Sequence, residues 1–248
     1  MTAHMPLAAT LLLCTAASLA LAEELPTYTI QRSGTAIHVD GRLDEPAWLA
    51  ASAVGRFQFP WWQAGKKEQT VAKLLYDDRH LYLAYVCQDA HIWAEQTERD
   101  SAVYRDDCVE FFVAPDPQRP SSYFNIEMNV RGAFLDHFRP ANAPVQEQWD
   151  AKDVRISTRI AGTLNDDSDE DRHWILEAAI PLDNFARAMK MPLPKPGDVW
   201  RMNLNRLGGK TNPQHSQWSP GNTAKPAFHV PERFGNMVFG DGIQQIMR

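Results

Sequence analysis

Cysteine is scarce in this 248-residue sequence, and no cluster of basic residues is present. The chain has three cysteines, 25 Lys and Arg residues and 31 Asp and Glu residues, for a formal net charge of -6. An acidic chain without a Lys/Arg cluster offers no electrostatic attraction to a phosphate backbone. We therefore expect no nucleic-acid partner.

The short motifs of common catalytic and metal sites are also missing. The sequence has no Gly-x-Ser-x-Gly, Cys-x-x-Cys, His-Glu-x-x-His or glycine-rich phosphate loop. Asp106, Asp107 and Glu110 form the best enzymatic candidate, because a glycosidase needs two carboxylates. On one strand, however, Asp106 and Glu110 would stand about 13 Å apart, too far for such a pair. The sequence favours a protein without catalysis, with a glycoside hydrolase as an alternative.

Long apolar segments are confined to the N-terminus. Residues 7–22 form an apolar run that is shorter than a typical membrane span. Ala20-Leu21-Ala22 supplies the small-x-small pattern of a signal-peptidase site. We expect a signal peptide over residues 1–22 and one exported domain over residues 23–248, periplasmic or secreted, monomeric and without a membrane span.

Short β-type runs separated by turn signals dominate the rest of the chain, a pattern typical of antiparallel sandwiches and barrels. Only two helical pieces stand out, one after Asp44 and one after Pro181. The fold class predicted is all-β, an antiparallel β-sandwich with one or two short helices. The predicted strands cover residues 35–39, 70–76, 81–87, 108–113, 123–130, 133–138, 154–160, 174–180 and 199–207.

Two cysteines remain after the expected processing, and both lie in consecutive predicted strands. Because consecutive strands usually pair, we expect Cys87 and Cys108 on neighbouring strands. An oxidising compartment would permit a disulfide between them, while two buried thiols remain the alternative. Sequence alone leaves both open, since it does not show which way the side chains point.

No cofactor is expected. The acidic segment 165–172 reads as a solvated turn, because its spacing does not match the EF-hand loop. A structural calcium ion bound by this segment remains the alternative.

Aromatic residues are abundant, with eight Trp, six Tyr and eleven Phe. A sugar ring has apolar C–H faces and polar edges, so its binding site combines flat aromatic rings with a few hydrogen-bonding groups. Trp48, Trp174 and Trp200 lie in strand or helix patterns and are expected in the core. Trp61 and Trp62 are adjacent, so one of them should reach the surface, and Trp62 is a candidate ligand contact.

Six motifs, in a fixed order, resemble those of the family 9 carbohydrate-binding modules. The most specific begins with an aromatic, continues with polar residues and ends on Asp-x-Val-Glu-(Ile/Phe)-Phe. Each motif alone is weak, but their shared order is specific and spans roughly residues 36–240. In this sequence they are Val39–Trp48, Leu75–Ala84, Tyr104–Val113, Trp174–Pro181, Pro196–Asn203 and Phe228–Asn236.

This resemblance implies a sandwich of the DOMON-like jelly-roll type that clamps a sugar between two aromatic rings. By position, the rings are Tyr104 and Phe228, and Glu110 is the carboxylate that accepts hydrogen bonds from sugar hydroxyls. The best-known members carry Trp at both ring positions, so stacking area is smaller here. Further candidates by position are Asn125 and Lys225.

Two arginines on one predicted strand, Arg201 and Arg206, are interpreted as either sugar donors or partners of carboxylates. Arg206 is retained among the candidate sugar contacts.

The resemblance further implies a mono- or oligosaccharide partner and a role in polysaccharide catabolism beside glycoside hydrolases. Some DOMON-like relatives instead bind haem through Met and His or Lys, which leaves electron transfer as an alternative. The candidate axial ligands here are Met128, His137, Met202 and His215.

Overall fold

A computed structural model describes residues 24–242 of the chain. The predicted signal peptide and its cleavage site after Ala22 lie outside the described residues. Over the described range, none of the helices has the length and apolar character needed to cross a bilayer.

The described chain forms eleven β-strands and two short α-helices. The helices are α1 (Pro46–Ala50) and α2 (Asp183–Met189). The strands are β1 (Thr27–Arg32), β2 (Thr70–Tyr76), β3 (His80–Gln88), β4 (Cys108–Ala114), β5 (Tyr123–Asn129), β6 (Phe134–Arg139), β7 (Arg155–Ala161), β8 (His173–Pro181), β9 (Val199–Gly208), β10 (Gln214–Gln217) and β11 (Gly235–Phe239).

These strands form one continuous sheet that curls into two layers. The strand order is β6-β5-β4-β9-β11-β1-β2-β3-β8-β7, and β10 pairs with β9. Strand β1 joins the layers, because Thr27–Ile30 pair with β11 whereas Gln31 and Arg32 pair with β2. We call β4, β5, β6, β9, β10 and β11 the front sheet and β2, β3, β7 and β8 the back sheet. The predicted β-sandwich with two short helices is confirmed.

The main core lies between the two sheets and follows the two-residue alternation of strands. Val109 and Phe111 of β4 and Leu83 of β3 are among its fully buried members. Trp174 and Trp200 belong to it as predicted, and Trp48 is buried in a second cluster. Each large side chain of this kind contributes about 1.5–3 kcal/mol of burial energy.

The outer face of the back sheet is covered by the N-terminal segment that includes α1. Trp48 packs there against Leu75 and Tyr82. Glu177, buried on the same face, accepts hydrogen bonds from Trp48 Nε1 at 2.8 Å and from the backbone N–H of Gly41 at 3.0 Å. The N-terminal segment thus covers the back sheet and leaves the outer face of the front sheet to other loops.

Some strands differ from the prediction. Residues 35–39 are irregular because they run over the back sheet instead of joining it. Strands β1, β10 and β11 were not predicted, and β1 pairs in parallel with both of its neighbours. The sequence Gln214–Gln217 has no apolar alternation, so its pairing depends on β9 alone.

The expected neighbourhood of the two cysteines is wrong. Strand β3, with Cys87, pairs with β2 and β8 in the back sheet, whereas β4, with Cys108, pairs with β5 and β9 in the front sheet. Cys87 points into the main core, and Cys108 lies in a separate cluster on the outer face of the front sheet. Both are buried free thiols, so the candidate disulfide is ruled out.

Candidate functional site

The outer face of the front sheet carries a row of polar side chains at its centre. Because Val109 and Phe111 point into the core, Glu110 between them points outward. Directly opposite Glu110 stand Glu127 on β5 and Asn205 on β9. Residues opposite each other in an antiparallel pair share one face, so these three side chains form a contiguous polar floor.

The two carboxylates of this floor are buried and held by amides. Glu110 and Glu127 are only 4% and 5% exposed. Asn205 Nδ2 donates to Glu110 Oε2 at 3.1 Å, and Asn125 Nδ2 donates to Glu127 Oε1 at 2.9 Å. Burial raises the pKa of Glu110 well above its usual range, and the charge of Glu127 raises it further. Burial also raises the pKa of Glu127 to about 7, so the pair retains a proton near neutral pH.

Arg139 is the cation that acts on both carboxylates. Its Nε donates to Asn125 Oδ1 at 2.7 Å, and its charge lowers the pKa values of Glu110 and Glu127 against the larger effect of burial. Among the described residues, no ion pair includes either carboxylate. Arg139 therefore moderates the charge of the pair without neutralising it by direct contact.

Several buried polar atoms on this face make no hydrogen bond to the described chain. They are His137 Nδ1, Asn205 Oδ1 and Gln217 Nε2. By register, His137 lies opposite Asn125, and Gln217 lies opposite Asn205, so all three surround the two carboxylates. Each unpaired buried group costs about 1–3 kcal/mol, which a polar ligand on this face would recover.

Tyr104 stands beside this floor on a short 3₁₀ turn, Val103–Arg105, just before β4. Val103 packs against Cys108 and Leu135, which fixes the turn on the outer face. Leu135 is also the register partner of Glu127. With 45% of Tyr104 exposed, its ring is available as a stacking surface.

Phe228, in the loop after β10, packs in a cluster with Phe112 and Tyr123 on the outer face of the front sheet. Its ring packs against those of Trp61 and His215, each at a centroid distance of 5.8 Å. Phe228 is only 8% exposed, so it forms a wall rather than an open ring face. Leu207 is two residues after Asn205 on β9. It packs against the cluster of Phe228, Phe112 and Tyr123 and also against the cluster of Val103, Cys108 and Leu135. The segments that carry the two predicted rings therefore both contact Leu207.

The remaining predicted contacts lie further out. Trp62 is 42% exposed and lines a cavity of about 260 Å³ together with Trp61 and His215. Lys67 Nζ lies 4.6 Å from the centre of the Trp62 ring. Lys225 is exposed on the same loop as Phe228, and Trp61 Nε1 anchors that loop by donating to the Thr223 carbonyl at 2.7 Å.

The interpretation of Arg206 as a sugar donor is wrong. Arg206 is opposite Val109, on the core side of the front sheet, and is 2% exposed. Its Nη2 lies 2.6 Å from Asp89 Oδ2 and 3.1 Å from Asp107 Oδ1. Of the two arginines considered, Arg206 is therefore the one that pairs with carboxylates. Arg201 Nε donates to the Phe234 carbonyl at 2.7 Å.

The acidic residues proposed for catalysis do not converge. Asp106 accepts hydrogen bonds from the backbone N–H groups of Glu95 and Gln96, both at 3.0 Å, and so fixes a loop. Asp107 belongs to the buried ion pair with Arg206. Glu110 alone of this acidic group lies on the polar floor.

The haem ligands considered do not form a pair either. Met128 and Met202 are buried in the main core. His215 packs on the outer face of the front sheet, and His137 is the outward-facing partner of Asn125. The two residue types therefore lie on opposite sides of one sheet.

In the acidic segment 165–172, residues 166–170 are exposed and Asp171 is buried. Asp171 accepts from the backbone N–H groups of Ile92 at 2.8 Å and Thr163 at 2.6 Å. Among the described residues, the carboxylates that cluster closely enough for a metal ion are those of Asp100, Asp136 and Asp150. Arg99 pairs with all three, and its guanidinium supplies the positive charge of that cluster.

Sequence reasoning missed Glu127, Arg139 and Asn205. A usable signal was present, because Asn125 and Glu127 alternate with the core residues Phe124 and Ile126 along β5. Polar residues at every second position of a strand mark a polar face. What the alternation did not show is that this face adjoins Glu110.

Comparisons with known proteins agree with this fold. The family model described as carbohydrate-binding family 9 matches residues 47–239. A Bacteroides uniformis protein proposed to bind carbohydrate superposes with a TM-score of 0.71 at 22% identity, covering 87% of this chain and 100% of that one.

Two structures of a family 9 carbohydrate-binding module from Caldicellulosiruptor kristjanssonii are also similar. The complex with cellotriose has a TM-score of 0.61 at 16% identity, covering 90% of this chain and 97% of that one. The complex with glucose has a TM-score of 0.60 at 17% identity, covering 90% and 100%. No curated protein sequence matches the chain.

Proposed function

This chain belongs to carbohydrate-binding family 9, and we propose that it binds a saccharide on the outer face of the front sheet, over Glu110 and Glu127, without catalysing its cleavage. The family 9 modules with a similar fold were solved with glucose and with cellotriose, which supports a mono- or oligosaccharide ligand.

The observation that carries the proposal is the combination of unpaired buried polar atoms and a flanking aromatic ring. Asn205 Oδ1 and Gln217 Nε2 lack partners in the described chain, next to the carboxylate of Glu110. Tyr104 offers an exposed side chain on the turn whose Val103 packs against Cys108 and Leu135 of the same face. Hydroxyl groups satisfy donors and acceptors at once, and C–H faces stack on aromatic rings, so a sugar fits both features.

Absence of catalysis is proposed from the placement of the carboxylates. Glu110 and Glu127 emerge side by side from neighbouring strands of one face. A glycosidase needs its two carboxyl groups on either side of the scissile bond. The side-by-side pair suits hydrogen bonding to adjacent hydroxyl groups instead.

The cellular setting is proposed from the sequence. An apolar N-terminal run with a small-x-small site supports export to the periplasm or medium, and carbohydrate binding supports a role beside enzymes of polysaccharide catabolism. We propose a monomer that needs no cofactor.

A glycan-array screen of the mature protein tests the proposed function. We expect binding to one class of mono- or oligosaccharide, confirmed by calorimetric titration, and no release of shorter sugars when the same saccharides are incubated with the protein. An array without any binding contradicts carbohydrate binding, and product formation contradicts the absence of catalysis.

A further inference from the structure

We infer that Glu127 is a specificity-determining residue of the proposed site, which acts with Glu110 as a pair sharing one proton and thereby selects uncharged saccharides over acidic ones. The inference rests on the proposed function and adds to it the charge class of the ligand.

The first support is geometric. Glu110 and Glu127 are direct register partners, so their side chains stand next to each other on one face. Each carboxylate accepts one side-chain hydrogen bond, Glu110 from the Asn205 amide and Glu127 from the Asn125 amide. Both are almost fully buried. Two neighbouring carboxylates with so little solvent do not both remain ionised at neutral pH.

The surroundings do not supply enough positive charge to keep both carboxylates ionised at neutral pH. Arg139 is the nearby cation, and its Nε is engaged with Asn125. Burial lowers the pKa values of His137 and His229, the latter to about 4, so both rings are neutral at pH 7. The other titratable groups that act on the pair or on its neighbours include Cys108 on β4, Tyr123 on β5, Tyr85 from the core side, and Asp100, Glu147 and Glu232 in loops.

A shared proton gives the floor both a donor and an acceptor. The protonated carboxyl donates to one hydroxyl of a sugar, and the ionised one accepts from the next. An acidic sugar would bring a further negative charge into a poorly solvated site that already carries one, which costs binding energy. Above the pKa of the pair, both carboxyls are ionised, and the donor is lost.

The test is a set of calorimetric titrations on the mature protein, residues 23–248. The uncharged probes are glucose, galactose, mannose and cellotriose, and the acidic probes are glucuronic and galacturonic acid. We expect the best uncharged sugar to bind at least about tenfold more tightly than its uronic acid at pH 7. Its affinity should fall at least about tenfold between about pH 6 and about pH 9, because binding requires the shared proton.

Glu127→Gln removes the proton-sharing partner and puts an amide of similar shape in place of the carboxyl group. In this variant the amide of Gln donates at every pH, so the affinity for the uncharged sugar should change less than about threefold over the same pH range. Glu170→Gln, which changes an exposed glutamate in the loop between β7 and β8 of the back sheet, is the matched control and should keep the wild-type pH profile.

The outcomes separate this inference from the proposed function. If the wild-type protein binds none of these sugars at any pH, both the inference and the proposed binding of these saccharides are contradicted. Binding that is independent of pH, or equal for uncharged and acidic sugars, overturns the inference alone. The inference is also overturned if folded Glu127→Gln keeps the wild-type pH profile or binds none of the uncharged sugars. If the variant does not fold, the pH dependence and the charge preference of the wild-type protein test the inference.

Discussion

The hydroxyl of Tyr85 donates a hydrogen bond of 3.1 Å to the backbone carbonyl of Glu110. Tyr85 belongs to β3 of the back sheet, so this bond crosses the main core and supports β4 from below at the residue whose side chain faces outward. The proposed site is therefore held from the core side as well as by its strand neighbours.

Tyr85→Phe removes this bond and keeps the ring in the core. We expect the free energy of unfolding to fall by about 1–2 kcal/mol, because the net value of one buried hydrogen bond is small. Saccharide affinity should change less than about threefold, since the ladder still holds β4. Guanidinium unfolding and calorimetry measure the two quantities, and a large loss of affinity without a loss of stability would be inconsistent with a supporting role.

Tyr104→Ala should weaken saccharide binding by about tenfold or more, because it removes the exposed ring beside the carboxylate pair. The thermal midpoint should stay nearly unchanged, since Tyr104 contributes little to the core. Tyr104→Phe is the matched control and should retain most of the affinity. If the alanine variant loses its fold along with its binding, Tyr104 is a core residue and not a stacking surface.

Glu127 should make stability depend on pH. Its pKa in the folded protein is raised to about 7 from an ordinary value of 4.5, so the folded state binds more protons than the unfolded state between these values. The free energy of unfolding should thus fall as the pH rises through this window, by a contribution on the order of 3 kcal/mol. The contribution of Glu127 is fully present below about pH 4.5 and lost above about pH 7.

Glu127→Gln should remove this contribution, which makes the variant gain stability relative to wild type as pH increases. Asp107, whose pKa burial also raises to about 7, acts in both proteins and cancels in the difference. Guanidinium unfolding at several pH values measures the difference in free energy of unfolding between the variant and the wild type. A stability difference between the two proteins that does not vary with pH would refute the proton-sharing pair.

Arg206→Met should destabilise the protein by about 3–5 kcal/mol, because it leaves the buried carboxylates of Asp89 and Asp107 without their cation. Arg119→Met breaks an exposed ion pair with Asp116 and should cost less than about 1 kcal/mol. Chemical unfolding of both variants gives the comparison. Saccharide affinity of folded Arg206→Met should match wild type, and a selective loss of affinity would return Arg206 to the binding site.

Much of the fold could be predicted because a strand's alternation is local. The period of two along Cys108–Ala114 placed Val109 and Phe111 inside and Glu110 outside, and the observed strand agrees. Strand β10 could not be predicted in this way, because its four polar residues form a strand only by pairing with β9. Of the candidate site, the order of motifs selected Tyr104, Glu110 and Phe228, whereas Glu127 was identified only by its register with Glu110.

The sequence by itself determined which residues of each strand face a core and which family the motifs resemble, because both depend on neighbours along the chain. Only the tertiary structure decided which strands lie side by side. Cys87 and Cys108 lie in separate sheets, Arg206 lies on the core side, and Glu127 stands opposite Glu110. These relations arise from backbone pairing and packing between distant segments, where the free energy of the whole sandwich, and not the local pattern, selects the partner.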